Sequence, residues 1–432
     1  MAVDPGLLTD LQSRGLVEQM TGEAALIDHF SESRAVYCGF DPTADSLHIG
    51  SLVPLLTLKR FQQAGHKPIA LLGGATGLIG DPSFKAQERK LNSSETVVGW
   101  VDKLRKQVSR FIAFEATDNA AIVVNNLHWM DELSALDFLR KIGKHFSINN
   151  MINKDSVKQR INREGEGISF TEFSYMLLQS YDFSELYRNY NCTVQIGGSD
   201  QWGNIVSGVE LTRRLHGGHV YGLTLPLVTK ADGAKFGKTE SGTIWLDPSK
   251  TSPYAFYQFW LNTADADVYK FLRFFTFLEL AEIDVIERAD CESLVKPQAQ
   301  RILAEEVTRL VHGDEAFGAT QRITDALFKD GIRHLSSRDM EQLQQDGLPS
   351  TSLNTELLNE SLATIFVNAG LAKNGKQVKD ALLRCAALIN DQPIGWKDNM
   401  STLAVFDKSK ALFDRYFIVR LGKKSHHLFV LD

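Results

Sequence analysis

A strand-like run, Val36-Tyr-Cys-Gly-Phe40, breaks into Asp41-Pro-Thr-Ala-Asp-Ser46 and delivers His48-Ile-Gly50 to an apolar helix. A strand–loop–helix start gathers backbone N–H groups and the positive end of a helix dipole where an anion can sit. Ser46 is the expected N-cap, ahead of Leu52, Val53, Leu55, Leu56 and Leu58. His48 adds a donor, and Gly50 leaves room above the backbone for a flat ring. Together these residues describe a nucleotide site without a P-loop. A second segment, Lys235-Phe-Gly-Lys-Thr239, lies 187 residues after His48, beside Asp232-Gly233. Two lysines flanking a glycine on a flexible loop suit charge developing on a departing pyrophosphate.

A third group sits between them. Tyr175, Gln179 and Asp182 are spaced i, i+4 and i+7, so a helix places them on one face. A solvated face gives the same spacing by chance. Here Phe173, Met176, Leu177, Leu178, Tyr181 and Phe183 make the helix apolar nearly all round, which favours a buried polar stripe. Buried polar groups need partners. A ligand with an ammonium at one end and a hydroxyl at the other would supply them. Other motifs fail on spacing. Gly233-Ala-Lys-Phe-Gly-Lys-Thr239 has Asp232 where a phosphate-binding loop needs its first Gly, and Ala75 interrupts the G-x-G-x-x-G pattern in Gly73–Gly80. Gly197-Gly-Ser199-Asp-Gln201 ends in Gln and is no nucleophile elbow. His216 and His219 lack acidic or Cys partners for a metal.

The elements that must position these residues alternate. Strand-like Val36–Phe40, Pro68–Gly73, Ala121–Val124 and Thr193–Ile196 are followed by helical stretches at 47–64, 93–115, 132–143 and 201–215. This alternation predicts an α/β fold with a parallel, doubly wound, Rossmann-like sheet over 1–228. Strand ends carrying Gly and Asp, at Gly73-Gly74 and Gly197–Asp200, put the ligand at the carboxyl edge of the sheet. A helical insertion is expected at about 125–185, and 1–33 reads as helical. The lysine loop occupies 229–245. Apolar periodicity through Phe256, Trp260, Val268, Phe271, Leu303 and Val307 predicts an α-helical domain over 246–334. A linker is expected at 335–354, from its Ser, Gly and Pro content. A small α+β domain follows over 355–432, with helices at 357–369 and 374–385 and strands at Ala387–Ile389 and Phe417–Arg420.

Composition bounds the rest. A chain of 432 residues with 43% hydrophobic and 23% charged content is ordinary for a soluble globular protein of several domains. No apolar run is long enough to span a bilayer, and the start lacks the pattern of a leader, so the cytoplasm is expected. Cys38, Cys192, Cys291 and Cys385 are scattered, which suggests reduced thiols rather than zinc. The net charge is −6, but residues 361–432 carry 11 Lys/Arg against six Asp/Glu. A basic module on an acidic body fits a local RNA contact, and an ordinary charge fluctuation fits equally well.

The His48 and lysine segments together resemble the two signatures of class I aminoacyl-tRNA synthetases. Tyr37–Thr57, Leu72–Lys90, Thr171–Asp182 and Gln195–Asn204 resemble the bacterial-type tyrosyl-tRNA synthetase family, and the likeness runs nearly the full length. Ile365–Ala372 and Ala387–Ile394 resemble the S4-type RNA-binding fold. The resemblance implies a tyrosine–tRNA ligase that uses ATP with Mg²⁺, holds no dedicated metal site and acts on tRNA(Tyr) as a homodimer, with no membrane partner. It implies that Tyr37 and Asp182 bind the phenolic oxygen of L-tyrosine, that Asp81, Tyr175 and Gln179 bind its ammonium, and that Gln201 lies near its carboxyl. It assigns Cys38 and Asp200 to ribose, the backbones of Asp41 and Gly198 to the AMP moiety, and Gly39, Gly50 and Ser51 to the ATP site. Thr43 and His48 match groups on the γ-phosphate. Lys85, Arg89, Lys235, Lys238 and Thr239 match the pyrophosphate clamp, although Lys85 and Arg89 alone would read as surface charge. The family signature ends in a second His, where this chain has Ser51, so a modest change in ATP affinity is expected.

Three rivals share parts of this pattern. A tryptophanyl-tRNA synthetase has the same fold and signatures, but an indole cavity needs no Tyr37/Asp182 pair. A non-catalytic RNA-binding paralogue would keep the basic C-terminal module, yet has no use for His48 and the lysines. Small nucleotidyltransferases with His-x-Gly are much shorter.

Overall fold

The computed structural model describes residues 3–431 except 84–90, 116–117, 155–156, 159–160, 162–166, 232, 234–235, 240–241, 293–297, 330, 401 and 423–424. At 238–239 and 399–400 only the backbone is described. The chain forms two compact units, one of residues up to Asp247 plus Ala264–Ala299, the other of Pro248–Thr263 plus Gln300 onward.

In the first unit a six-stranded sheet runs β1 (Gln19–Met20), β6 (Tyr221–Leu225), β5 (Cys192–Gly198), β2 (Ala35–Phe40), β3 (Lys67–Leu72), β4 (Ile122–Asn125). All neighbours are parallel except β1 and β6. The near-continuous burial of β2, β3 and β5 is that of strands covered on both faces. From β2 the chain winds outward through β3 and β4, then returns to lay β5 on the other side of β2. That reversal opens a crevice beyond the carboxyl ends of β2 and β5, where doubly wound sheets bind ligands. Helix Phe170–Tyr190 covers one face, burying Phe183 and Leu186 against Tyr37, Ile69, Leu71 and Val124.

Several expected elements shift. The first 33 residues hold helices Leu7–Ser13 and Glu23–His29 with β1 between them. The stretch 132–143 is a chain of short turns, Ala135–Asp137, Phe138–Ile142 and Gly143–His145, rather than one helix. Ser93 caps helix Ser94–Val108, accepting from Thr96 N. Ser46 caps nothing. Its hydroxyl donates to Leu47 O at 2.8 Å and receives Gln107 Nε2 at 3.1 Å, while His48 caps the turn Ile49–Ser51 that leads into helix Leu52–Gln63. The imidazole wins because Nδ1 reaches the Gly50 N–H at 2.9 Å. β7 (Lys238–Thr239) pairs with β8 (Gly242–Thr243).

The expected helical domain at 246–334 is divided: helices Asp265–Phe275 and Leu280–Glu292 belong to the first unit, Pro253–Leu261 and nearly all of Ala299–Lys329 to the second. The second unit also holds a five-stranded sheet in the order β11 (Gln392–Ile394), β10 (Ala387–Ile389), β12 (Tyr416–Leu421), β13 (Ser425–Leu431), β9 (Ser350–Leu353). Residues 335–354 are therefore not a bare linker. They carry a capped helix Ser337–Gln342 and strand β9, which pairs in parallel with β13 and buries Leu353. One face of this sheet packs on helices Leu362–Asn368 and Gly375–Leu383 through Phe366, Val378, Leu382, Phe417 and Phe429. The other packs on Ile323, Leu327, Met340 and Leu343 through Ile418 and Leu428.

Candidate functional site

Two chambers meet at the crevice. The first, about 180 Å³, is lined by β2 and β5 and by helix Phe170–Tyr190; the second, about 570 Å³, extends along the His48 turn. Gly39, Asp41, Pro54, Gly198 and Asp200 line both, so the two chambers adjoin.

Tyr37, Asp81, Tyr175, Gln179, Asp182 and Gln201 all line the first chamber, together with Cys38. Strand and helix periodicity bring them there: Tyr37 comes off a central strand, and Tyr175, Gln179 and Asp182 come off one helix face. Tyr37 is buried, with its ring edge-on to Phe183 at 5.2 Å, and its phenol oxygen has no partner among the described residues. Burial and the nearby Asp182 charge hold that phenol protonated, well above its ordinary range. Asp182 is also buried. Burial lifts its carboxyl to about 8, although Asn126 Nδ2 donates to Oδ2 at 3.0 Å and Trp129 Nε1 donates to Oδ1 at 2.8 Å. A carboxylate accepts about four hydrogen bonds, so Asp182 keeps capacity for a ligand hydroxyl.

Acidic groups dominate the rest of this chamber. Tyr175 donates to Asp41 Oδ2 at 2.6 Å, and Thr76 donates to Asp41 Oδ1 at 2.7 Å. Gln201 Nε2 donates to Asp81 Oδ2 at 2.8 Å, and Asn204 Nδ2 bridges Gln179 Oε1 at 2.9 Å to Gln201 Oε1 at 3.2 Å. Burial, reinforced by Asp81, raises Asp200 to about 6. Cys38 is buried and its thiol is pushed up to about 12, so it is no thiolate nucleophile. Asp41, Asp81 and Asp200 together make this part of the chamber an environment for a ligand ammonium.

The second chamber collects Thr43, His48, Gly50 and Ser51. His48 Nδ1 accepts from the Gly50 N–H, so the neutral ring carries its proton on Nε2 as a donor. A Cβ on Gly50 would lie 2.7 Å from His48 Cε1, so the space above this glycine is filled first by the imidazole itself. Lys85, Arg89 and Lys235 lie outside the described residues. Lys238 and Thr239 are described only by their β7 backbone. The two signature segments are nevertheless tied together: Leu246 N donates to Leu47 O at 2.9 Å and Ile49 N to Ile244 O at 3.0 Å.

The sequence reading omitted Thr76, Asn126, Trp129, Gln195 and Asn204. Gln195 had a usable signal, a polar residue within an apolar strand, and its Oε1 is buried with no partner among the described residues. Asn126, one residue past β4, follows the rule that flagged the Gly-rich strand ends.

The chain matches the family of class I tRNA synthetases for tryptophan and tyrosine over residues 31–329. It is 57% identical to the tyrosine–tRNA ligase of Aliivibrio salmonicida over 425 residues, covering 98% of both chains. It is 56% identical to that of Klebsiella pneumoniae, covering 98% of this chain and 97% of the other. A C-terminally truncated mitochondrial tyrosyl-tRNA synthetase of Aspergillus nidulans superposes with a TM-score of 0.67 at 30% identity, covering 74% of this chain and 94% of that one.

Proposed function

The chain belongs to the class I tRNA synthetases of the tryptophan and tyrosine group, and from that premise we infer what each residue of the cavity does. The reaction is the ATP-dependent ligation of tyrosine to tRNA. The observation that supports the residue roles is the pairing, in one buried chamber, of an unsatisfied Tyr37 hydroxyl with an Asp182 carboxylate held by Asn126 and Trp129. The substrate phenol donates to Asp182 and accepts from Tyr37. Phenylalanine leaves both unpaired, which disfavours it. Asp81, Tyr175 and Gln179 face the ammonium, and Gln201 the carboxyl.

ATP occupies the second chamber and its border with the first, with its ribose at Asp200, Cys38 and the Ser51 hydroxyl, its AMP moiety near the backbones of Asp41 and Gly198, and Gly39 and Gly50 completing the site. In the first step a tyrosine carboxylate oxygen attacks the α-phosphorus in line. The bond to the β-phosphate oxygen breaks and pyrophosphate leaves with that electron pair. His48 Nε2–H and Thr43 donate to the γ-phosphate, and Lys85, Arg89, Lys235, Lys238 and Thr239 neutralise charge on the leaving group. In the second step a terminal ribose hydroxyl of tRNA attacks the acyl carbon and AMP departs. No side-chain nucleophile is needed. Positioning and donors that tighten in the transition state supply the rate. Mg²⁺ enters with the ATP phosphates. Among the described residues no group of three or more His, Cys, Asp or Glu is arranged to hold a metal.

The inserted segment between β4 and β5 exposes Leu136, Leu139, Ile148, Ile152 and Phe170, and we read this face as covered by a second copy of the chain. The C-terminal sheet with its two helices serves as an S4-like RNA-binding module for tRNA(Tyr). The enzyme works in the cytoplasm; among the described residues no helix is long and apolar enough to cross a membrane.

The deciding experiment is ATP–pyrophosphate exchange with tyrosine, phenylalanine and tryptophan in parallel. Exchange with tyrosine alone is expected. Exchange with tryptophan would reassign the first chamber, and no exchange from folded protein would leave only the RNA-binding role. Sedimentation of the same sample reads the dimer.

A further inference from the structure

The segment that carries Lys235 and Lys238 is fastened just before its first lysine and again between the two. On the entry side, the Ala231 N–H is shared by both carboxylate oxygens of Asp267, at 3.1 and 3.0 Å. Asp267 is 2% exposed and sits in the first turn of helix Asp265–Phe275. One turn on, Lys270 Nζ donates to Thr229 O at 2.9 Å and lies 3.4 Å from Asp267 Oδ1. Between the two lysines, the Phe236 ring stacks on Phe275, with centroids 5.3 Å apart and planes at 20°, and meets Phe271 edge-on at 5.0 Å. Phe236 also lines the second chamber. The next residue, Gly237, has φ +77°, and a Cβ there would come within 2.4 Å of Ile49 Cγ2. Its carbonyl accepts from Ile244 N at 3.0 Å.

A buried carboxylate is costly unless fully hydrogen-bonded. The first turn of a helix offsets part of that cost, and Asp267 directs the rest of its capacity at the Lys270 ammonium and at the Ala231 N–H, four residues before Lys235. We propose that Asp267 is a positioning residue for the first chemical step. Together with the Phe236 wedge it fixes the stem of the lysine segment beside the phosphate side of the cavity. The rate of pyrophosphate departure then depends on Asp267 although Asp267 contacts neither ATP nor tyrosine. The inference rests on the role given above to Lys235 and Lys238.

The test is single-turnover formation of tyrosyl-adenylate by the full chain carrying Asp267→Ala, Asp267→Asn, Phe236→Leu, Lys238→Ala or the pair Asp267→Ala/Lys238→Ala. Tyrosine affinity and transfer from preformed adenylate to tRNA are measured alongside. Asp267→Ala is expected to slow adenylate formation by about tenfold, the scale of a small misplacement of a catalytic group, while the other two quantities stay within about twofold. Asp267→Asn, which keeps an acceptor for the Ala231 N–H, restores most of the rate. In the Lys238→Ala background Asp267→Ala adds little. If Asp267→Ala does not fold, Phe236→Leu is expected to slow the same step alone. Equal losses in both steps, additivity with Lys238→Ala, or no rescue by Asn would reduce Asp267 to a structural role and overturn the proposal. A slow Lys238→Ala beside an unaffected Asp267→Ala, or an unaffected Phe236→Leu where that variant stands in, overturns the proposal alone. An unaffected Lys238→Ala overturns the reading of the lysine segment itself, and the proposal with it.

Discussion

Tyr37 and Gln195 are register partners on the adjacent parallel strands β2 and β5. Both line the first chamber, and each carries a buried oxygen with no hydrogen-bond partner among the described residues. Such orphans cost stability and mark where the polar end of a ligand belongs. Removing the Tyr37 hydroxyl therefore deletes a group that no described residue satisfies. Tyr37→Phe is expected to leave the thermal midpoint unchanged or slightly raised. It should narrow the preference for tyrosine over phenylalanine by about 1–2 kcal/mol, since one of the two hydroxyl partners is gone. The ratio of kcat/KM values in ATP–pyrophosphate exchange measures this, and an unchanged ratio would remove Tyr37 from the specificity pair.

Asp182 gives the site a pH dependence. Burial lifts its carboxyl to about 8. A phenol that donates to the carboxylate favours its charged form, so tyrosine binding and loss of the proton are linked. The kcat/KM for tyrosine is expected to rise with pH to a plateau above about 8. The same shift weakens the fold with rising pH. The folded state keeps the proton up to about 8 and the unfolded chain only to 3.8, so the contribution falls across that window. Asp182→Asn turns an amide NH₂ toward Asn126 or Trp129, both donors, and is expected to cost about 2–3 kcal/mol in tyrosine activation. A pH profile of exchange from 6 to 9 checks both points. A flat wild-type profile would mean that Asp182 is already ionised at neutral pH.

Part of the chamber's lining was legible in the sequence because helix periodicity fixes which side chains share a face, while Tyr37, Asp81 and Gln201 were named only through the family resemblance. Tyr175, Gln179 and Asp182 fell on one face because helix Phe170–Tyr190 is regular for 21 residues. Gly197–Asp200 pointed to the cavity because strand ends at a switch point do so generally. What escaped the sequence is set by tertiary contacts. Ser46 has the chemistry of an N-cap, but Gln107, 61 residues away, engages it and the His48 ring takes the cap. Asn126 and Trp129 gain their role only by reaching Asp182, more than fifty residues later. Strand β9 lay hidden in a polar stretch because its partner, β13, comes from the far end of the chain. No local pattern reports such pairings.

Two histidines near the other end of β2, His66 buried and His29 half-buried, set an acid limit on the fold. His66 is fully buried against Phe30 and Phe61 and accepts the Arg34 N–H at 3.2 Å, while His29 Nε2 pairs with Thr193 Oγ1 at 2.8 Å. Burial, with Arg34 nearby, lowers both to about 4 from 6.5. The unfolded chain therefore binds more protons than the folded one between these values. Stability is fully present above 6.5 and is lost as the pH falls toward 4. Urea midpoints at pH 7.5 and 5.0 should differ in that sense, and His66→Gln should reduce the difference. An unchanged difference would place the acid sensitivity elsewhere.

The basic face of the C-terminal module makes a separate prediction. Lys373, Lys376 and Lys379 lie at the start of or within helix Gly375–Leu383, and Arg384 follows it. Arg384 is paired with Asp380 at 3.1 Å, whereas Lys379 lies over the Trp396 ring at 5.3 Å and keeps its charge toward solvent. An exposed pair such as Arg384–Asp380 adds little to stability, and its carboxylate dilutes the field that a phosphate would feel. The three lysines are therefore the better candidates for RNA phosphates. Replacing them together by Ala is expected to raise KM for tRNA. It should also lower the slope of log K against log salt by about one unit per lost phosphate contact, with ATP–pyrophosphate exchange unaffected. An unchanged salt slope would move the RNA contact off this helix. A parallel loss of exchange would mean that the substitutions act through folding rather than through charge.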